Sequence, residues 1–333
     1  MDILFLGGTR FVGRHLVTAA LERGHRPTLF HRGRTGVEVH PEVERILGDR
    51  DGGLDALGGR EFDAVVDVSG YLPRLVRDSA TRLRGAAERY LFISSMSVLA
   101  DPGPPGQDED SPLAVLDDPK VERIDVATYG GLKVLCEEAV SEIWGGSSLI
   151  LRPGYIVGPD DHTDRFTAWL RRVAAGGDFI APGPPEGPIQ WIDARDLAGF
   201  AIDGLERQLG GVFTVTGPAE RSTWSCLFAE MERTFGAGSR PCWVDPAFIA
   251  AHSLGGRDLP LWHPPDRLGL HRLSIDRAIG AGLVHRPEEE TFRDTLAWDR
   301  RHGVLAESRT PDSPAPCGLG PDRERELLTA ART

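Results

Sequence analysis

The sequence predicts an α/β protein: a doubly wound parallel sheet followed by a smaller, mostly helical C-terminal domain. Three observations carry that prediction. Short apolar runs of strand length recur at Ile3–Leu6, Pro27–His31, Val43–Leu47, Ala64–Val68, Tyr90–Ile93 and Ser148–Leu151. Continuous rather than alternating apolar character marks strands covered on both faces, as parallel sheets require. Segments of helical periodicity separate the runs, which is the rhythm of a sheet with helices on both sides. The first run also ends in a glycine-rich turn, Gly7-Gly8-Thr9-Arg10-Phe11-Val12-Gly13, that opens straight into a helix.

That first helix is expected from Phe11 to Arg23, with Phe11, Val12, Leu16, Ala19 and Ala20 near helical spacing and Gly24 ending it. A second starts at Pro73, where the missing N–H costs nothing, and runs to Leu83. Residues 101–120 break the rhythm with Asp101-Pro102-Gly103-Pro104-Pro105-Gly106 and an acidic run, and read as a long exposed loop. The helix carrying Tyr129 and Lys133 continues to about Trp144. After the sixth strand come a helix near Phe166–Ala175, a Pro/Gly loop over Ala181–Pro188, a strand at Ile189–Ile192, a helix over Ala194–Leu205 and a strand at Val212–Thr216. The remainder reads as mostly helical, with a Pro-rich interruption at Trp262-His263-Pro264-Pro265. A Pro/Ser stretch, Thr310–Pro316, and a short polar helix close the chain as a surface appendage. Residues 1–160 are thus expected to form one domain, to which 190–216 return; 161–189 and 217–333 make up the second domain and the tail.

Composition narrows the function. The chain has 333 residues and a net charge of -12, which disfavours a basic nucleic-acid or anionic-membrane surface and favours small-molecule partners. Cys136, Cys226, Cys242 and Cys317 lack metal or redox spacing and read as buried thiols in a reducing compartment, so a cytoplasmic location is expected. No segment approaches twenty apolar residues, and Ile3–Leu6 is too short for a signal-peptide core. His162 lies near Asp160, Asp161 and Asp164 in a loop where polar residues are normal, and no metal site is expected. Trp169, Trp191, Trp262 and His263 are read first as core, with pocket lining as the alternative; Cys136 should pack against the sheet.

The chemistry centres on Tyr129 and Lys133. Four apart on a helix, the two side chains share a face, and a cation beside a phenol favours the phenolate and makes the tyrosine a workable acid/base. The chain has only two lysines, Lys120 and Lys133, and four tyrosines, so the pairing is rarely met by accident. The loop of Gly7, Gly8, Thr9, Arg10, Phe11, Val12 and Gly13 would turn backbone amides and a helix N-terminus toward a pyrophosphate. Ser94-Ser95 closes the fifth strand.

Together these features resemble the extended short-chain dehydrogenase/reductase superfamily, which includes NAD(P)-dependent epimerases, dehydratases and sugar reductases. The resemblance covers at least residues 1–300. It implies a Rossmann-type sheet with a C-terminal substrate domain. It also implies that Ser95 holds the substrate oxygen, that Tyr129 moves the proton, and that Lys133 lowers the Tyr129 pKa and binds the nicotinamide ribose. Gly48-Asp49-Arg50-Asp51 matches the adenine-side segment, led by Asp49, with Arg50 and Ser69 also expected to line the cofactor. Leu151-Arg152-Pro153-Gly154-Tyr155-Ile156-Val157-Gly158-Pro159 matches the stretch beneath the nicotinamide, with Pro153 at the cofactor, and Gln190-Trp191-Ile192-Asp193 a later landmark. Arg10 departs from the family by replacing the usual middle glycine.

Tyr155 stands where sugar-nucleotide enzymes of this group carry asparagine, and Ile189-Gln190 where they carry arginine before the Trp191 landmark. A small, non-UDP metabolite undergoing hydride transfer at a secondary alcohol or ketone is therefore expected, with sugar or sugar-nucleotide epimerisation or dehydration as the alternative. The start, Gly-Gly-Thr-Arg-Phe-Val-Gly, also resembles a branch with chloroplast RNA-binding relatives, which keeps a non-catalytic cofactor- or RNA-binding protein as a competing class. The second strand ends without a carboxylate, and Arg32, joined by Arg10, suits a 2′-phosphate. NADP(H) is the expected cofactor and NAD(H) the alternative; a homodimer is possible by family resemblance.

Overall fold

A computed structural model describes residues 1–36, 38–220, 222–303 and 316–332. The strands are β1 (Asp2–Leu6), β2 (Arg26–His31), β3 (Glu44–Leu47), β4 (Phe62–Asp67), β5 (Ala87–Ile93), β6 (Ser148–Pro153), β7 (Ile156–Val157), β8 (Gly177–Pro182), β9 (Pro188–Ile189), β10 (Ile192–Asp193), β11 (Gly211–Val215), β12 (Ser222–Thr223) and β13 (Ser239–Val244). The helices are α1 (Phe11–Glu22), α2 (Pro73–Leu83), α3 (Tyr129–Trp144), α4 (Thr167–Ala174), α5 (Ala194–Glu206), α6 (Trp224–Phe235), α7 (Pro246–Ala251), α8 (Asp276–Gly280), α9 (Glu288–His302) and α10 (Pro321–Ala330).

Seven strands, all parallel, form the central sheet in the order β11-β6-β5-β4-β1-β2-β3. Both faces are covered, which is why the strands read as unbroken apolar runs. On one face α1 and α5 bury Leu16, Val17, Leu197 and Ile202 against Ile3, Phe5, Val66 and Leu91. On the other, α2 and α3 bury Val76, Ala80, Cys136 and Val140 against Leu4, Val65, Tyr90 and Phe92. Strand order reverses between β1 and β4, and such a reversal opens a crevice at the carboxyl ends of the strands. Register aligns those ends: Leu6 pairs with Phe30 on β2 and with Asp67 on β4, so the turns that follow share one rim.

A second core holds the C-terminal half. Phe166, Trp169, Phe179, Trp191, Trp224, Phe228 and Phe292 pack ring against ring, with centroids 5.1–6.5 Å apart. Trp169 and Trp191 are thus core residues, as expected.

Several expectations need correction. The C-terminal half is mostly helical, as expected, but β8 and β13 add an unexpected parallel pair; Gly176-Gly177 and Pro182 disguised a strand whose Phe179–Ala181 are fully buried. The strand expected at Ile189–Ile192 is two short ones. β9 pairs with β12 and β10 with β7, because Gln190 between them turns to bind Leu273, donating from Nε2 to its carbonyl (3.1 Å) and accepting its N–H (2.9 Å). The 101–120 loop is irregular but not wholly exposed. Gln107 and Glu109 are buried, the first donating to the carbonyls of Asp101 and Pro104, the second accepting from the Thr214 amide of edge strand β11.

Nor is the closing helix an appendage: Leu327 of α10 sits in the aromatic core and Glu324 pairs with Arg172 at 2.7 Å. The Pro/Ser stretch preceding it lies, up to residue 315, outside the described residues. Of the four cysteines only Cys136 is buried; Cys226 is exposed on the outer face of α6. No helix among the described residues is long and apolar enough to cross a membrane.

Candidate active site

The first turn of the crevice is shaped by what it cannot hold. Gly8 has a φ of +93°, and a Cβ on Gly13 would lie 2.7 Å from the Gly8 Cα, so the loop and the start of α1 touch backbone to backbone. Arg10, at the N-cap of α1, provides no side-chain acceptor, so the helix's first amides face the crevice. A loop whose glycines have no room for a Cβ, ahead of an uncapped helix N-terminus, fits a dinucleotide pyrophosphate. Thr9 and Phe11 are buried within this loop, Val12 packs on the core beneath it, and Arg10 is exposed.

Ser69 follows β4, its hydroxyl donating to Leu6 O at 2.9 Å and so tying the two turns together. Beneath it lies a buried ion pair: Arg50 grips Asp67 through both terminal nitrogens, at 2.9 and 2.8 Å, and Tyr90 donates its hydroxyl to the same carboxylate. The guanidinium holds the Asp67 carboxyl below its ordinary pKa despite complete burial. Arg50, expected at the cofactor, therefore turns inward and supports the Ser69-Gly70-Tyr71 turn. Asp49 is exposed, with its carboxylate accepting the Asp51 amide. Arg32, directly after β2, is also exposed, and among the described residues no carboxylate pairs with it. Pro153 ends β6, buried opposite Val215.

Tyr129 opens α3, and Gly130 lets that helix come close: a Cβ there would lie 2.1 Å from Ser97 O, within the turn that carries Ser95. The Ser95 hydroxyl is near enough to the Tyr129 phenol to oppose the rise of its pKa, and it accepts from the Ser97 amide at 3.1 Å. One turn along, Lys133 is buried, its Nζ donating to Gly70 O and Ile93 O at 2.8 Å each. The ammonium lies 5.0 Å from the Tyr71 ring centre, and the Tyr71 and Tyr129 rings are 6.5 Å apart. Structure thus brings Ser95, Tyr129 and Lys133 together, with Tyr71 between the last two. Tyr71 went unread in the sequence, although its place just beyond a strand end, after Ser69-Gly70, was the available signal.

The electrostatics differ from the sequence expectation. Burial pushes Tyr129 up to about 12, with Tyr71 adding to the rise and Ser95 and Arg165 opposing it. The Lys133 ammonium is held by two carbonyls and lies over two ring faces. Burial also lowers Lys133 to about 8, which leaves it mostly charged at neutral pH.

Across the crevice Tyr155 packs beside Met96, Leu270 and Leu273. Its ring lies 5.7 Å from His263 and 5.1 Å from His271, and its hydroxyl bonds His263 Nε2. Burial keeps both imidazoles neutral, near 3 and 4 respectively. His271 accepts the Gln190 amide at Nδ1 and meets Leu261 O with Nε2, which fixes its tautomer. His162 packs edge-on to Phe11, 6.1 Å away, and is lowered to about 4 by burial, then by Arg10 and Arg165. No group of three or more His, Cys, Asp or Glu suited to a metal occurs among the described residues.

Comparison with known proteins agrees with this geometry. The chloroplast stem-loop binding protein of 41 kDa b of Arabidopsis thaliana is 26% identical over 65% of this chain, a region spanning only 58% of that protein. Ceramide reductase of Caulobacter vibrioides is 24% identical over 91% of this chain and 96% of its own length. The crystal structure of UDP-glucuronic acid 4-epimerase from Bacillus cereus in complex with NAD superposes over 90% of this chain and 99% of its own, with a TM-score of 0.64 at 15% identity. Residues 3–213, from β1 through most of β11, match the NAD dependent epimerase/dehydratase family, so the glycine loop, the Ser95 turn and the Tyr129 helix are parts of one inherited domain and the chain belongs to that family of enzymes.

Proposed function

We propose that this chain is an NAD(P)(H)-dependent oxidoreductase acting at a secondary alcohol or ketone of a small metabolite. The observation that carries this reading is the close approach of Gly130 to Ser97 O, which sets the Ser95 turn beside Tyr129 at the rim of the crevice, with Lys133 one helical turn behind. The bound nicotinamide supplies or accepts the hydride. Ser95 holds the reacting oxygen, Tyr129 exchanges the proton with it, and Lys133 holds the cofactor ribose. Burial leaves Tyr129 protonated at neutral pH, so it stands ready to donate to a ketone oxygen; reduction is the direction the resting site favours.

Net reduction is also supported by the reductase among the relatives, whose similarity spans nearly both chains. Epimerisation is supported by the names of structural neighbours, yet Ile189 is buried and Gln190 is bound to Leu273, which leaves that landmark no free group for a nucleotide diphosphate. The stem-loop binding relative raises RNA binding; a net charge of -12 and a complete Ser95/Tyr129/Lys133 set favour turnover instead. NADP(H) is the preferred cofactor, on the strength of Arg32, which pairs with no carboxylate among the described residues, and the absence of a carboxylate at the end of β2.

The test is Tyr129→Phe. Removing the proton path while leaving the ring should lower turnover by orders of magnitude and leave cofactor affinity near wild type. Retention of more than about a tenth of wild-type turnover would refute the assignment. A denaturing extraction of freshly purified protein separates the two reaction types: cofactor held tightly and not consumed marks an epimerase, freely exchanging cofactor a reductase.

A further inference from the structure

Several buried or half-buried arginines are held by carboxylates. Arg50, Arg152 and Arg195 each grip a buried carboxylate, at 2.8, 2.6 and 2.7 Å. Arg165 does not. Its guanidinium lies 5.1 Å from the centre of the Tyr155 ring, and its Nε donates to the Thr163 hydroxyl at 3.2 Å. That hydroxyl donates in turn to Asp161 Oδ1 at 2.7 Å, while Oδ2 of the same buried carboxylate has no partner. Asp161 makes no ion pair with Arg165 among the described residues. The relay fixes one edge of the guanidinium, and among the described residues neither terminal nitrogen makes a hydrogen bond.

Its surroundings are the crevice. Tyr155 packs with Met96, the residue after Ser95, and the charge of Arg165 is felt at Tyr129, His162 and His263. The three imidazoles nearby are neutral at physiological pH, so they do not supply the positive charge themselves. A planar cation, held by one edge against an aromatic ring with two donors free, suits the paired oxygens of an anion.

We propose that Arg165 is the specificity residue for an anionic small substrate, taking a carboxylate or a phosphate monoester of the molecule whose oxygen faces Tyr129. The proposal deepens the oxidoreductase reading and rests on it for the placement of that oxygen, but its test needs no turnover. Calorimetric titration of the wild-type protein, saturated with NADPH or NADH, is made with three probes: malonate, inorganic phosphate and UDP. Malonate or phosphate should bind saturably, and which of them does tells carboxylate from phosphate.

Arg165→Met should weaken that binding at least about tenfold, as expected for lost charge-assisted hydrogen bonds. Arg165→Lys should retain part of it, and Thr163→Val, which frees the edge but keeps the charge, should weaken it less than Arg165→Met. If Arg165→Met fails to fold, the Lys and Val variants decide, since equal binding by both and by wild type overturns the role. Absence of saturable binding by either small anion overturns it as well. So does Arg165-dependent binding of UDP alone, which would make the residue a nucleotide-diphosphate contact. A Tyr129→Phe variant that still turned over would sink the placement of the reacting oxygen at Tyr129 and leave this binding result standing.

Discussion

Replacing Lys133 by Met separates the energetic role of the buried ammonium from its chemical one. Lys133 is 3% exposed, and burial lowers its pKa from 10.5 to about 8. At about 1.4 kcal/mol per unit, keeping the amine charged in this place costs about 3 kcal/mol at neutral pH. Between the two pKa values the unfolded chain binds more protons than the folded one, so stability rises with pH there. The contribution is fully present above the unfolded value and is lost as pH falls through the folded one. Relative to Lys133→Met, which does not titrate, the wild type should gain about 2 kcal/mol between about pH 7 and about pH 9.5. Near pH 7 the two proteins should be similarly stable, because relief of the buried charge offsets the carbonyls of Gly70 and Ile93 left without a donor. Urea melts of both proteins at both pH values measure the double difference, in which every other titrating group cancels. Equal pH slopes would refute the buried-ammonium account, whatever the substitution does to activity.

Two further predictions test the supports of the crevice. Arg50→Met leaves Asp67 fully buried without its countercharge and should destabilise the fold by about 3 to 5 kcal/mol in urea melts, more than Asp67→Asn does. A loss below about 1 kcal/mol would show that the pair is not held as drawn. Arg32→Ala should weaken NADPH about ten- to a hundredfold in fluorescence titrations and leave NADH unchanged. Equal affinity of wild type for both cofactors, or equal weakening of both, would count against a 2′-phosphate site.

The sheet was legible because a strand covered on both faces leaves a strong mark: Ile3–Leu6 and Tyr90–Ile93 have no polar positions to confuse with a helix of solvent-facing period. What was missed lacked such a mark. β8 begins at a glycine pair and ends at proline, so its four buried residues are too few to show a period. The break at Gln190 depends on an amide reaching Leu273, 83 positions away, and no local pattern encodes that partner. The burial of α10 likewise depends on Arg172 meeting Glu324 across 152 positions.

The candidate site shows the same division at the level of single side chains. Spacing placed Tyr129 and Lys133 on one helical face, and strand ends placed Ser95 and Ser69 at one rim, since period and register fix where a Cβ stands. They do not fix where a long side chain ends. Arg50, from the same landmark as exposed Asp49, is drawn inward by a carboxylate that no sequence pattern joins to it. Lys133 finds its hydrogen-bond partners in two backbone carbonyls, Gly70 O and Ile93 O, which a buried ammonium needs and no spacing names. The consequence reaches the chemistry. Burial is the largest influence on the Tyr129 phenol and raises its pKa to about 12, so the group is protonated at neutral pH. That state follows from the depth of the ring in the fold, which the spacing of the two residues does not contain.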